Sequence, residues 1–220
     1  MELSKKQIKT FSKIYAKNKW KKQEFNLFSI RNLKNLRKDV FNDLSGFWMN
    51  GKGYIFQSTT DPSKWCIEKK GPGNGALFLK AGFHPESLCI DLHNKRIKRA
   101  FCSRAKKRYS DGKWAGCNPQ KILRDSNADF NIKREKQYVG HFGANMHHAN
   151  KWRILKNIGR YGEGCRVVVN WKEMDFILDE SEKTGMYKNN PKVTLFSEAI
   201  FELGQYKEID DIYKSFDEWK

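Results

Sequence analysis

A cysteine and a histidine pair stand at a spacing suited to nucleophilic chemistry. Asn145-Met146-His147-His148 is followed, after the fourteen residues that separate His147 from Gly162, by Gly162-Glu163-Gly164-Cys165-Arg166-Val167-Val168. Glycines ahead of a sulfur let a carbonyl approach and leave backbone N–H groups for an oxyanion, while a histidine brought alongside takes the thiol proton. The opposing reading of Cys165 is a buried core residue, because a free cysteine packs as a small hydrophobe. The flanking glycines, the upstream Asn-x-His and the spacing favour the nucleophile. His147 is the candidate base and His148 its rival; a strand through them turns the two to opposite faces. Asn145 shares the face of His147 and either orients an imidazole or the substrate, or makes a structural hydrogen bond. Gly164 serves an oxyanion-binding backbone or a tight turn, and the two roles are compatible.

These residues resemble the signature of the L,D-transpeptidase (YkuD-like) cysteine enzymes of peptidoglycan: a His, a spacer of similar length, then Ser/Thr-His-Gly-Cys. The likeness is closer to a phage and prophage branch with Asn-x-His, Val-Gly-Lys/Arg-aromatic and x-Gly-Cys-Gln-Val. Here Asn145-Met146-His147, Ile158-Gly159-Arg160-Tyr161 and Gly164-Cys165-Arg166-Val167 stand at those places. The resemblance covers residues 45–205, is strongest in 139–170, and has weaker echoes in Thr59-Thr60-Asp61-Pro62 and Gly75-Ala76-Leu77. It implies a mainly β (α+β) catalytic domain, a sandwich or barrel of the L,D-transpeptidase-like type. It further implies that the Cys165 thiolate attacks an amide carbonyl of a peptidoglycan stem peptide, giving a thioester that His147 helps form and resolve. Water as acceptor makes a hydrolase and an amine makes a transpeptidase; the phage-like pattern favours hydrolysis during host lysis or entry, with no cofactor. Backbone N–H groups near Gly164 and Cys165 would form the oxyanion hole.

The chain also departs from that pattern. Glu163 stands where the family has its second His, Gly162 where it has Ser or Thr, and Val167 where it has Arg. Arg160 and Arg166 either substitute for the missing carboxylate contact, which suits arginine's bidentate fork, or are ordinary solvated charges. Asn145, His148, Arg160, Glu163 and Arg166 are thus expected on the substrate side of the site.

The balance of 43 Lys+Arg against 25 Asp+Glu gives 220 residues a formal charge of +18. Such a chain seeks an anionic partner: nucleic acid, an anionic membrane surface or a phosphate-bearing envelope polymer. Lys/Arg runs at 5–22, 95–108 and 133–136 are interleaved with Trp20, Phe101, Tyr109 and Trp114, a mixture used to track phosphates and stack bases. No nucleic-acid motif supports that use, and solvated basic faces are the commoner explanation of such runs. A catalytically silent, basic binding module is therefore the alternative function. No apolar run reaches the roughly 18 residues of a membrane span, and the N-terminus lacks an apolar signal region, so the expectation is a product made in the cytoplasm that acts at the cell wall. Five cysteines, an odd number, argue against a disulfide framework. His84, Cys89, His93 and Cys102 offer four zinc-type ligands in a spacing that matches no established finger, so no metal is expected. No nucleotide is expected either, since Gly71-Pro72-Gly73-Asn74-Gly75 lacks a following Lys-Ser/Thr and reads as a turn.

Positioning this chemistry requires strands. Residues 1–44 read as a basic helical arm, with a capping box at Ser4 and Gln7, apolar Ile8, Phe11 and Tyr15, a hinge at 17–22, and a second helix over 24–44 carrying Leu33, Leu36, Val40 and Leu44. Residues 45–220 read as the catalytic domain. It opens with a hairpin around Asn50-Gly51, followed by strands at 64–68, 76–80, 87–92 and 95–101, then a long loop over 103–121. Strands over 138–147 and 165–169 would carry the catalytic pair. A helix over 171–183, a strand over 193–201 and a helix over 206–219 complete the chain.

Overall fold

The computed structural model describes residues 1–34, 39–93, 99–108, 114–191 and 193–217. In chain order it contains α1 (Lys5–Lys17), β1 (Asn26–Arg31), β2 (Asp43–Met49), β3 (Lys52–Thr59), α2 (Lys64–Asn74), β4 (Ala76–Leu79), β5 (Gly82–Leu92), β6 (Arg99–Cys102), β7 (Lys107–Arg108), β8 (Trp114–Ala115), β9 (Gln120–Asp125), β10 (Gln137–Gly140), β11 (Met146–Asn150), β12 (Arg166–Asn170), α3 (Trp171–Glu182), α4 (Gly185–Asn189), β13 (Phe196–Glu202) and α5 (Lys207–Asp217). The protein is mainly β. Eight strands close a barrel in the order β1-β13-β5-β6-β11-β12-β3-β2, and β10-β9-β4 form a separate sheet. Two neighbouring pairs in the barrel are parallel, β1 with β13 and β11 with β12.

Side-chain alternation divides the barrel wall into two faces. Phe28, Ile30, Leu44, Trp48, Ile55 and Phe201 turn outward under α1 and α5, where Phe11, Tyr15, Ile209 and Ile212 complete one apolar cluster. The intervening residues fill the interior in layers. Leu27, Phe47, Met146, Val168 and Phe196 form an apolar layer with Met174, Ile177 and Leu178 of α3. A polar layer follows: the hydroxyls of Ser29 and Ser45, and of Ser45 and Ser58, are each 2.8 Å apart, and Ser29 donates to Glu198 at 3.2 Å. Arg166, with no exposed side-chain surface, completes that layer through Nη2 at 2.6 Å and Nε at 2.9 Å from the Glu198 carboxylate. In the third layer Arg31 lies 3.1 Å from Asp61 and donates to Thr60 at 2.9 Å, while Asp43 accepts the Thr60 N–H at 2.6 Å. Burial raises both the Asp43 and Asp61 carboxyls despite the pull of Arg31.

Several elements follow from local sequence. Ser4 and Gln7 form the expected capping box on α1, the hairpin of β2 and β3 turns at Asn50-Gly51, and Asn170 caps α3 by accepting from the Lys172 N–H at 3.1 Å. None of the described helices is long and apolar enough to cross a membrane.

Other expectations need correction. The second helix over 24–44 is absent among the described residues: this stretch supplies β1 and the start of β2, and Leu36 lies outside the described residues. Its apparent helical stripe is divided among separate structures, with Leu44 on the outer barrel wall and Val40 bridging to Asn157. The boundary at 44 therefore falls within β2, and the 1–44 segment supplies β1 and the start of β2 to the barrel. Residues 64–68 are helical because Ser63 caps α2, accepting the Cys66 N–H at 3.0 Å. The loop expected over 103–121 contains the short ribbon of β7 and β8, and Tyr109 falls outside the described residues.

Deleting residues 1–44 should abolish folding, since it removes β1, which pairs with both β13 and β2. The expected product is insoluble or lacks a cooperative thermal transition. A soluble truncated protein with a single sharp calorimetric transition would refute this account.

Candidate functional site

The candidate base sits on β11, and the thiol immediately precedes the adjacent parallel strand β12. The register pairs Met146 with Arg166 and His147 with Val167. Met146 and Val168 point into the barrel, whereas Ala149, Cys165, Val167 and Val169 form a different cluster with Phe41 and Ile158. His147 is aligned with Val167, so strand alternation places it on the Cys165 side of the sheet. Between the strands the chain makes an excursion in which Ile158 packs over the thiol cluster while Trp152 is 87 % exposed.

The approach to Cys165 is fixed by glycines. Gly164 has φ +92°, and a Cβ there would stand 2.6 Å from the Leu77 carbonyl oxygen on β4. Gly162 is held by the Ser63 N–H, which donates to its carbonyl at 2.8 Å. The Arg166 N–H is committed to the Asn145 carbonyl at 2.8 Å, so the first amide after the cysteine belongs to the sheet and not to an oxyanion. The Cys165 Sγ lies 3.6 Å from the Gly143 carbonyl oxygen, which accepts from it.

A second histidine, His93, joins the site. The His147 Nδ1 is 2.8 Å from the His148 carbonyl oxygen. A carbonyl only accepts, so Nδ1 carries the proton and Nε2 is the basic nitrogen. The His93 ring stacks on His147 with centroids 4.1 Å apart and planes 26° from parallel. Asn145 Oδ1 accepts the Ser103 N–H at 2.9 Å, which directs its Nδ2 to His93 Nδ1 at 3.1 Å. Asn145 therefore orients an imidazole, but that of His93, which in turn backs His147. From the sequence alone His93 reads only as a zinc-type ligand. It is brought in by the pairing of β5, β6 and β11, for which its own neighbourhood carries no signal.

The other predicted residues divide by face. His148 is aligned with Val168, on the interior side, away from Cys165. Arg166 is enclosed in the barrel by Glu198 and donates to the Ala144 carbonyl at 2.6 Å, so it does not meet a substrate on the thiol face. Glu163 and Arg160 are exposed, and the Arg160 guanidinium lies 5.1 Å from the Trp65 ring centre. The four zinc-type residues do not converge among the described residues. His84 instead donates to the Lys80 carbonyl at 2.8 Å, and Cys89 faces Cys102 across β5 and β6. Burial pushes the Cys102 thiol up to about 12, and a hydrogen bond with Cys117 raises that of Cys89, which leaves both as poor nucleophiles. Of the aromatics expected to stack bases, Phe101 is fully buried and Trp20 stacks on Phe83 with centroids 5.5 Å apart.

No family model, curated protein or solved structure matches this chain.

Gly164→Ala should cost at least about 2 kcal/mol, since it combines a left-handed backbone with a backbone collision at Leu77. Urea unfolding checks this, and an unchanged midpoint would refute it. His84 supplies a pH test. Burial lowers its pKa from 6.5 to about 4, so below about 6.5 the unfolded chain binds a proton that the folded chain refuses. Stability from this residue is present above 6.5 and is lost as pH falls toward 4, by up to about 3 kcal/mol. Stability curves of His84→Gln and the wild type should converge by about that amount over this window, whereas parallel curves would exclude the effect.

Proposed function

We propose that this chain is a cysteine-dependent peptidoglycan stem-peptide hydrolase of the L,D-transpeptidase-like type, acting in cell-wall degradation. The observation that carries the reading is the placement of Cys165 and His147 on one face of two parallel strands, with His147 Nε2 as its basic nitrogen. The thiol proton passes to Nε2 as Sγ bonds to the amide carbonyl carbon. The C–N bond then breaks, and the imidazolium returns the proton to the leaving amine. Water adds to the thioester with His147 again as base, releasing the carboxylate product and the thiol. An amine in place of water would make the same site a transpeptidase. His93 and Asn145 hold the base by stacking and hydrogen bonding, while Arg160 and Glu163 are exposed.

The binding-only reading has one observation in its favour: Cys165 keeps 8 % of its surface, beneath Ile158. Incubation with purified peptidoglycan, followed by mass spectrometry of the soluble fragments, separates the two. The wild type should release cleaved stem peptides; Cys165→Ala and His147→Ala should each lower the rate by at least about a thousandfold, with the double variant no worse. His148→Ala should be milder because its side chain lies on the interior side. Wild-type release by Cys165→Ala would refute the mechanism, and a wild type that releases nothing while retaining wall binding would establish the binding module.

A further inference from the structure

Helix α1 packs one face against the barrel and turns a second, basic face outward. Ile8, Phe11, Ile14 and Tyr15 are buried in the cluster beneath α1. Lys5, Lys6, Lys9, Lys13 and Lys17 are all exposed and, at 3.6 residues per turn, lie within about 120° of arc on the opposite side. Lys5, Lys9, Lys13 and Lys17 form an i, i+4 ladder with a repeat of roughly 6 Å along the axis. Lys19, Lys21 and Lys22 continue the exposed charge, and no acidic residue occurs between Glu2 and Glu24. None of the five helix lysines forms an ion pair with a described side chain. Beside the ladder a cavity of about 240 Å³ is lined by Lys5, Lys9, Lys22 and the Ser12 side of the helix.

We propose that this face is the docking surface for a flexible, base-free phosphodiester chain of the polyol-phosphate class. A row of point charges on long stems suits a linear polymer with one monoanionic phosphate per unit. The stretch contains no arginine, the residue suited to bidentate reading of planar or doubly charged groups. Nucleic acid fits less well, because the aromatics of the stretch are already engaged: Phe11 and Tyr15 are buried, and Trp20 is stacked on Phe83 and packed edge-on by Tyr15. In-plane membrane insertion also fits less well, because it needs the apolar helix face that the barrel already covers. The surface overlies β1, β2, β3 and β13, whereas Cys165 stands immediately before β12 and His147 lies on β11, on another part of the barrel wall. A bound polymer therefore leaves the thiol face open, and the assignment does not depend on the thiol chemistry.

The test measures binding of the full chain to poly(glycerol phosphate) across a salt series. Single-stranded DNA of equal phosphate number and phosphatidylglycerol vesicles serve as comparison probes. The wild type should bind poly(glycerol phosphate) more tightly than either comparison probe at equal anion concentration. The variant K5Q/K9Q/K13Q/K17Q should bind at least tenfold more weakly and lose about 3 from the slope of log K against log salt, at roughly 0.7 per lysine. The control K133Q/K172Q/K188Q/K207Q, with the same net charge change on exposed lysines elsewhere, should stay within threefold of wild type. Replacement of the ladder by arginine should retain binding, and Cys165→Ala should bind as the wild type does. The pairs K5Q/K9Q and K13Q/K17Q, each expected to give part of the loss, replace the quadruple variant if its thermal transition is lost. Equal weakening by the ladder and control variants would overturn the surface. Tighter binding of DNA, or binding of vesicles alone, would overturn the polymer class.

Discussion

Arg166 lies inside the barrel with its guanidinium against Glu198, and much of the site depends on that placement. An ion pair with no exposed side-chain surface on either partner is held only where further hydrogen bonds satisfy it, and here Ala144 and Ser29 do so. Desolvation still raises the Glu198 carboxyl despite its arginine partner. Breaking such a pair by removing one partner costs about 3–5 kcal/mol, so the orientation of β12 is strongly specified. Because side chains alternate along a strand, Arg166 pointing inward sends Cys165 and Val167 outward. The parallel register with β11 then sends His147 outward beside them and His148 inward. One buried guanidinium thus links the packing of the barrel to the choice of which histidine faces the thiol.

A positive φ at Gly164 turns the chain against Leu77, so the separate sheet of β4, β9 and β10 forms part of the support for the thiol. Asn145 fixes His93, whose ring backs His147. Two neighbouring thiols, Cys89 and Cys102, are held protonated by hydrogen bonding and burial, which sets them apart from the chemistry proposed for Cys165. The basic helix stands apart from this arrangement. Its apolar side is spent on the barrel, and its exposed lysines project from the opposite side.

What the sequence determined by itself is local. The Ser4/Gln7 box, the Asn50-Gly51 turn, and the helices beginning at Trp171 and Lys207 are encoded within a few residues, because caps, turn chemistry and amphipathic period act at short range. The same holds for the pairing of Asn145-Met146-His147 with Gly164-Cys165, whose residue types and spacing mark a candidate site without any fold. Tertiary structure decided the rest. β1 is buried on both faces, so neither a period of two nor a helical period stands out, and its place between β13 and β2 comes from partners at opposite ends of the chain. Whether Arg166 is exposed or meets a buried Glu198, and whether His93 lies beside the other zinc-type residues or against His147, turns on strand pairings between residues far apart in sequence. Those pairings draw their energy from barrel closure and burial, and no short stretch of sequence contains them.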